Sequence, residues 1–310
     1  MTPPELATAA PSEMEVPAFS MPVESNPAGF AATLRKYTKI FRASLVERLT
    51  YRADFLFSTL LRFLPMLTTI LLWQAIYATA TPDETSTPGH KRLSGFQFDE
   101  MIAYLLMVNI SRMFSSMPGL AGGIARDIRE GTIKKYLLQP LDLIGYLLSY
   151  RVAHKVSYII SSALPYAVLF FICRGFFRGH VPTEPTVWLA FATSLVLAFA
   201  VGFFFEASVG MVGFWFLEVT SILYIVMTLN FFISGHMFPL DLLPRPWSTI
   251  LKSLPFQYMA YFPAVIFLGK VRGAALAYGL LLQLCWAGVF ICLARWLYRR
   301  GLRRYSAYGG

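Results

Sequence analysis

Residues 186–204 read TVWLAFATSLVLAFAVGFF, an apolar run without a charged side chain. About 20 predominantly apolar residues in a helix are enough to cross the hydrocarbon core of a bilayer. Lipid offers no hydrogen-bond partners, so a crossing segment must satisfy its backbone internally, as a helix does. The run therefore predicts a membrane-spanning helix, and it indicates an all-α fold.

Five further segments have the same apolar character. With the first they predict six spans, at about 54–77, 99–117, 144–172, 186–204, 208–234 and 274–297. The composition agrees, because 56% of the 310 residues are hydrophobic and 14% are charged, whereas soluble domains carry about 25% charged residues. We predict an all-α polytopic membrane protein with one membrane domain over residues 34–310.

The segments before the first span are polar. Residues 1–33 contain six prolines and four glutamates but no Lys or Arg, which predicts a disordered tail and does not match a signal peptide. Residues 34–53 are basic, with apolar residues at helical spacing. They predict an amphipathic helix on the membrane surface; the alternative is a solvated start of the first span.

Basic residues set the orientation. The net charge is +10, and the basic residues lie in blocks between apolar runs, which disfavours nucleic-acid binding. With both termini inside, the inner segments hold 17 Lys and Arg and the outer loops hold 8. The positive-inside rule therefore predicts cytoplasmic termini.

Motifs for catalysis and cofactor binding are missing from the sequence. It contains no G-x-x-x-x-G-K-[ST] phosphate loop, no H-E-x-x-H and no G-x-S-x-G. Its four histidines are scattered, and its three cysteines form no C-x-x-C pair. We expect no enzyme activity, no metal site and no cofactor bound by this chain.

Residues 124–142, IARDIREGTIKKYLLQPLD, lie between the second and third predicted spans on the predicted cytoplasmic side. A loop there needs only a few residues, whereas this stretch is charged, helix-forming and divided by Gly131. It predicts a docking surface for a soluble partner. The alternative is an ordinary basic loop held by lipid headgroups.

This stretch resembles the coupling segment of ABC-2-type transporter permeases, through REGTI at 129–133 and YLLQPL at 136–141. Two later stretches are also similar to that family, SGHMFPLDLLP at 234–244 and the ending GLRRYSAYGG at 301–310. The resemblance covers roughly residues 34–310, with the elements in the family's order.

The resemblance implies the transmembrane subunit of an ABC transporter in the bacterial cytoplasmic membrane. Such a subunit pairs with a second permease, as a homodimer or heterodimer, and is driven by a separate nucleotide-binding subunit that holds ATP and Mg. Short outer loops favour export. The interface with the ATPase would be a cytoplasmic coupling helix and its turn, with Gly131 permitting a sharp bend. Its residues would be Arg126, Asp127, Ile128, Arg129, Glu130, Gly131, Thr132 and Lys134.

Polar residues within the predicted fifth span suggest a substrate path. A carboxylate in lipid is costly and usually faces the protein interior, so Glu218 and Asn230 are the candidates. For Glu218 the alternatives are a pair with Arg62 or Arg112, or protonation. A turn is predicted near residues 205–206, with Glu206 solvated at a helix end.

Three glycines offer a place for close helix packing, with a dimer contact as one candidate. They are Gly202, Gly210 and Gly213.

Two other functions remain open at this point. A membrane-embedded enzyme acting on lipid would need clustered His, Asp or Ser, and the sequence shows no such cluster. A channel or ATP-independent carrier would need several paired charges at mid-membrane, for which Glu218 is the one candidate.

Overall fold

The computed structural model describes residues 30–50, 52–79, 92–93, 95–138, 142–216 and 218–308. In chain order the helices are α1 Phe30–Thr50, α2 Arg52–Thr79, α3 Phe98–Ser115, α4 Leu120–Arg129, α5 Lys134–Leu137, α6 Leu143–Ile172, α7 Pro185–Met211, α8 Thr220–Ile233, α9 Trp247–Ser253, α10 Tyr261–Phe267 and α11 Gly273–Tyr308. Short 3-10 helices lie at Cys173–Phe177, Val212–Phe214, Leu240–Leu242 and Pro255–Met259, and β1 (Arg92–Leu93) pairs antiparallel with β2 (Phe96–Gln97). The predicted helical fold is confirmed.

Three helices of the described ranges are long and apolar enough to cross a membrane, at Leu143–Phe177, Pro185–Phe214 and Gly273–Tyr305. Leu64–Thr79 and Thr220–Ile233 are shorter apolar helices. These helices support a multi-pass membrane protein. The predicted tail at 1–33 lies mostly outside the described residues, but its last four residues form the first turn of α1.

The predicted surface helix at 34–53 is a helix, Phe30–Thr50, and it packs along α6. The predicted broken segment at 235–272 is also confirmed as short helices. One of them, α10, is buried along its whole length against α3 and α7. The proline-rich stretch therefore contributes to the core.

The predicted turn near residues 205–206 is wrong. α7 runs through both residues to Met211, and Phe205 and Glu206 are buried. The chain leaves the helix through Val212–Phe214 and starts α8 at Thr220, so the predicted span 208–234 is two pieces. Hydropathy could not place this break, because apolar residues continue across most of it and Glu206, which suggested an earlier turn, is satisfied inside the protein.

Three glycines follow α3, and two of them, Gly122 and Gly123, lie inside α4. Gly119 alone takes a left-handed conformation, with φ +74°, which a residue with a Cβ adopts at a cost. The break between α3 and α4 is therefore short.

α7 is the central helix, in contact with α3, α4, α10 and α11. A Cβ at Gly202 would overlap the carbonyl oxygen of Ser115, and one at Gly210 would lie 2.7 Å from the carbonyl oxygen of Ala121. Gly213 approaches Ala125 in the same way. The close packing predicted for these glycines is therefore confirmed, and within the chain it brings α7 against α3 and α4.

The junction between α3 and α4 is held by charged side chains. From α6, Lys155 donates to the carbonyl oxygens of Met113 (2.6 Å) and Ser116, and the Arg151 guanidinium donates to that of Pro118 (3.0 Å). A helix end leaves such carbonyls without partners. The two cations satisfy them where no further helical turn follows.

The same junction is held from the other side by α7. The Met117 N–H donates to Oε1 of Glu206 at 3.0 Å, and Glu206 is only 8% exposed. The predicted solvated position of Glu206 is therefore wrong, because the carboxylate is the acceptor that a buried backbone N–H requires.

A buried amide joins α11 to α7. Gln283 is fully buried; its Oε1 accepts from the Ser194 hydroxyl (2.9 Å), and its Nε2 donates to the carbonyls of Ser194 (2.9 Å) and Tyr258 (3.2 Å). Both N–H donors and the carbonyl oxygen of this amide are hydrogen-bonded inside the apolar core, which fixes the register of the two helices.

We expect Gly202→Ala to destabilise the protein, because the added methyl group meets backbone and not a flexible side chain. Overpacking of this kind costs about 1–3 kcal/mol. Gly288→Ala in α11 is the matched control, since nothing lies within 4 Å of its Cβ position. The measurement is the melting temperature of the full chain in detergent, and equal melting of the two variants would contradict the close contact.

We expect Glu206→Leu to lower stability by about 1–3 kcal/mol, because it leaves the buried Met117 N–H without an acceptor. Glu206→Gln keeps an oxygen acceptor and should fall between Glu206→Leu and the wild type. Glu218→Gln, at an exposed carboxylate, should leave thermal unfolding unchanged. If Glu206→Leu melts with the wild type, the junction does not depend on this hydrogen bond.

Candidate functional site

Residues 120–138, here the α4–α5 segment, fold as two helices joined by a turn. α4 is amphipathic, and its buried residues recur at helical spacing on the side that packs against α7. They are Leu120, Ala121, Ile124, Ala125 and Ile128. The opposite side of α4 carries the charges. The segment is therefore anchored by one face and presents the other.

The turn between α4 and α5 depends on Gly131, which has φ +74°. Its N–H donates to the Ile128 carbonyl (3.2 Å), and the Ile133 N–H donates to the Asp127 carbonyl (3.0 Å). This is a left-handed glycine cap. The Thr132 hydroxyl adds a bond to the Asp127 carboxylate at 2.9 Å, so the bend predicted at Gly131 is present and is tightly held.

The eight residues predicted for the partner interface lie together on this segment, but they have different environments. Ile128 is buried, and Asp127 and Thr132 bond to each other within the turn. Arg129 pairs with Glu218 at 3.6 Å. The exposed residues of the set include Arg126, Glu130 and Lys134. Of the predicted charges, these three are the ones most accessible to a partner.

Glu218 does not lie within a helix. It precedes α8, its side chain is 65% exposed, and its carboxylate accepts from the Thr220 N–H at 2.8 Å. Hydrogen bonding to Thr220 lowers the pKa of Glu218, and Arg129 lowers it further. The predicted buried position is therefore wrong, and the ion-pair partner is Arg129 and not Arg112. Glu218 joins the end of α4 to the start of α8.

A cavity of about 490 Å³ lies between α3, α4, α7 and α8; we refer to it as the central cavity. Its polar and charged lining includes Arg112, Ser115, Ser116, Arg126, Arg129, Glu206, Thr220, Asn230 and Ser234. Of the two residues predicted for a substrate path, Asn230 lines it and Glu218 does not. The Asn230 Oδ1 atom is buried without a hydrogen-bond partner.

Two charged residues of the cavity wall, Arg112 and Glu206, were not predicted as site residues. Arg112 was considered only as an ion-pair partner for Glu218. A charge within an apolar span is itself a signal of function, so Arg112 could have been found. Glu206 could not, because the predicted turn placed it in solvent. Within the described ranges, no cluster of His, Cys, Asp or Glu side chains could hold a metal ion.

Comparison with known proteins agrees with this arrangement. No curated protein matches the chain. A family model described as ABC-2 family transporter protein matches residues 63–309, which include the α4–α5 segment, the central cavity and the short helices before α11. Because this match covers well over half of the sequence, the chain belongs to the ABC-2 transporter family, whose members are the membrane subunits of ABC transporters and work with an ABC ATPase.

Proposed function

We propose that this chain is the permease subunit of an ABC exporter in a bacterial cytoplasmic membrane. It pairs with a second permease and moves its substrate outward by ATP hydrolysis on a separate subunit. The observation that carries the proposal is the α4–α5 segment. It presents charges on one face, while its other face packs against the helix that walls the central cavity.

The first step is docking of the ATPase on the α4–α5 segment. Arg126, Glu130 and Lys134 are exposed and of mixed sign, which suits a polar interface with a soluble protein. Gly131 fixes the angle between α4 and α5. Asp127 and Thr132 stiffen the turn and act as positioning residues, since their side chains bond to each other.

The second step is transmission of movement. The backbone of α4 at Ala121 and Ala125 lies directly against Gly210 and Gly213. Packed protein interiors deform little, so a push on α4 moves α7 with it. The ATPase must bind the two arrangements of the helices with different affinity, because only such a difference can shift their populations.

The third step concerns the membrane. We place six crossings at α2, α3, α6, α7, α8 and α11, with α1 at the cytoplasmic interface and both termini inside. α8 has 14 residues and spans about 21 Å, less than the roughly 30 Å hydrocarbon core. The residues that follow α8 complete that crossing. The ATPase supplies the site for ATP and Mg, so this chain is not itself an enzyme.

The other functions make different demands. A carrier that works without ATP would transport its substrate in the absence of any ATPase subunit. A lipid-modifying enzyme would act on lipid without ATP and without an ATPase subunit. Pull-down of the full chain from native membranes, followed by mass spectrometry, distinguishes them. The exporter proposal requires a soluble subunit that carries a phosphate loop.

We expect Gly131→Ala to lower the amount of ATPase that co-purifies with the permease by about fivefold or more. A non-glycine residue in the left-handed region costs about 1–2 kcal/mol, and relief of that strain opens the turn. Gly179→Ala is the matched control, because Gly179 has a similar φ of +80° in the loop before α7. If both variants retain the ATPase equally, the bend has no role in docking.

We also expect Glu130→Lys and Lys134→Glu to weaken co-purification of the ATPase, because each reverses an exposed charge at the proposed interface. Glu184→Lys reverses an exposed charge just before α7 and should have no effect. The readout is the ratio of ATPase to permease at two salt concentrations. Unchanged ratios for both α4–α5 variants would place the docking surface elsewhere.

A further inference from the structure

We propose that the central cavity binds the anionic headgroup of an amphiphilic substrate, with Arg112 as the residue that holds the anion. This inference rests on the proposed permease function and names the substrate class of that cavity. The headgroup is a carboxylate or a phosphate, and the apolar body lies along α8.

Arg112 has the geometry of an anion-binding residue. It lies near the end of α3, is partly buried, and its guanidinium stands over the Phe231 ring with 5.3 Å between Cζ and the ring centroid. No described residue accepts a hydrogen bond from this guanidinium. A guanidinium has five N–H donors, and Arg112 lines the central cavity. A bound anionic oxygen would satisfy them.

The nearby carboxylate does not meet this need. Glu206 accepts the Met117 N–H, and Arg112, Arg151 and Lys155 all lie close enough to interact with its carboxylate. One carboxylate therefore faces several cations at this end of the cavity. The electrostatic potential at this end of the cavity therefore favours a bound anion.

With the other charged residues around the cavity included, the net charge of its lining remains positive. Arg126 and Arg129 line the end at α4, and Glu218 compensates only Arg129. Among the described residues that line the cavity, Glu206 is the only carboxylate. A cationic substrate would meet repulsion at both ends.

The wall of the cavity suits an apolar chain. Leu223, Met227 and Asn230 follow one face of α8 at helical spacing, and the face ends at Arg112 and Ser234. The 12 residues from Thr220 to Phe231 span about 16 Å. The volume lies within the roughly 300–1,000 Å³ range of pockets for small organic ligands. Asn230 adds an amide whose Oδ1 is unpartnered and which can turn to face the headgroup.

The test is direct binding to the full chain in phosphatidylcholine nanodiscs, followed by fluorescence. The probes are a dansyl-labelled undecanoic acid, its methyl ester, and the corresponding alkyl phosphate. We expect saturable binding of at least one anionic probe, about tenfold or more tighter than the ester, because charge-assisted hydrogen bonds to guanidinium are strong. The carboxylate and phosphate probes show which anionic group the site prefers.

The variants locate the site. Arg112→Gln should weaken binding of the preferred anion about tenfold and leave the ester unchanged, and Arg112→Lys should retain part of the affinity. Arg300→Gln is the matched control, because Arg300 also lies over an aromatic ring, that of Trp296 at 5.7 Å, but in α11.

A second variant keeps the test decisive if Arg112→Gln does not fold. Gly122 lines the cavity and has open space at its Cβ position. Gly122→Phe should therefore obstruct the cavity and abolish binding of every probe, whereas Gly288→Phe in α11 should not. Equal affinity for acid and ester, or anion binding that survives both Gly122→Phe and Arg112→Gln, would overturn the proposal.

The binding experiment tests the substrate class separately from the proposed exporter function. Binding to nanodiscs uses no ATPase, so loss of anion selectivity with intact ATPase co-purification would reject the substrate class alone. Anion binding by a chain that captures no ATPase would reject the exporter and keep the site.

Discussion

The hydrogen bond from the Met117 N–H to the Glu206 carboxylate is the constraint on which the arrangement of α3, α4 and α7 depends. The chain must end α3 and begin α4 inside the protein, where each free backbone group needs a partner. Glu206 supplies the acceptor, while Lys155 and Arg151 supply donors for the carbonyls of the same junction. The direction of α4, and with it the position of the α4–α5 segment, follows from this set of contacts.

The glycines of α7 make this hydrogen bond possible, because they let α3 and α4 approach α7 closely. Gly202 admits the backbone of α3 at Ser115, and Gly210 admits that of α4 at Ala121. Side chains at these positions would separate the helices and take Glu206 out of reach of Met117. Close packing and the buried hydrogen bond therefore require each other, and neither would be stable alone in an apolar interior.

The sequence predicted the parts that depend on local pattern. Hydropathy located the apolar helices, because a membrane-crossing helix must be apolar over most of its length. The bend at Gly131 was predictable, since glycine marks a left-handed turn. The exchanged roles of Glu206 and Glu218 were not predictable. Which carboxylate is buried depends on Met117, Thr220 and Arg129, and only the fold brings these partners together.

The residues of the cavity could be predicted only in part, for the same reason. Asn230 stood out as a polar residue in an apolar run, and the structure places it in the wall of the central cavity. The opposite wall comes from the junction of α3 and α4, whose position depends on long-range contacts. The spacing of residues along one helix predicts which of them share a face. A cavity also needs an opposing wall, and that wall comes from other parts of the chain.

Arg126 and Arg129 belong both to the α4–α5 segment and to the wall of the central cavity. A displacement of α4 therefore moves two guanidinium groups relative to the cavity, while Arg112 on α3 lies beyond the break at Gly119. Coulomb energy between charges varies inversely with distance and is larger away from water. If the ATPase pushes α4, the potential in the cavity changes together with its shape. An anionic ligand is sensitive to both changes, so the same movement that opens a path would also alter how tightly the site holds its ligand.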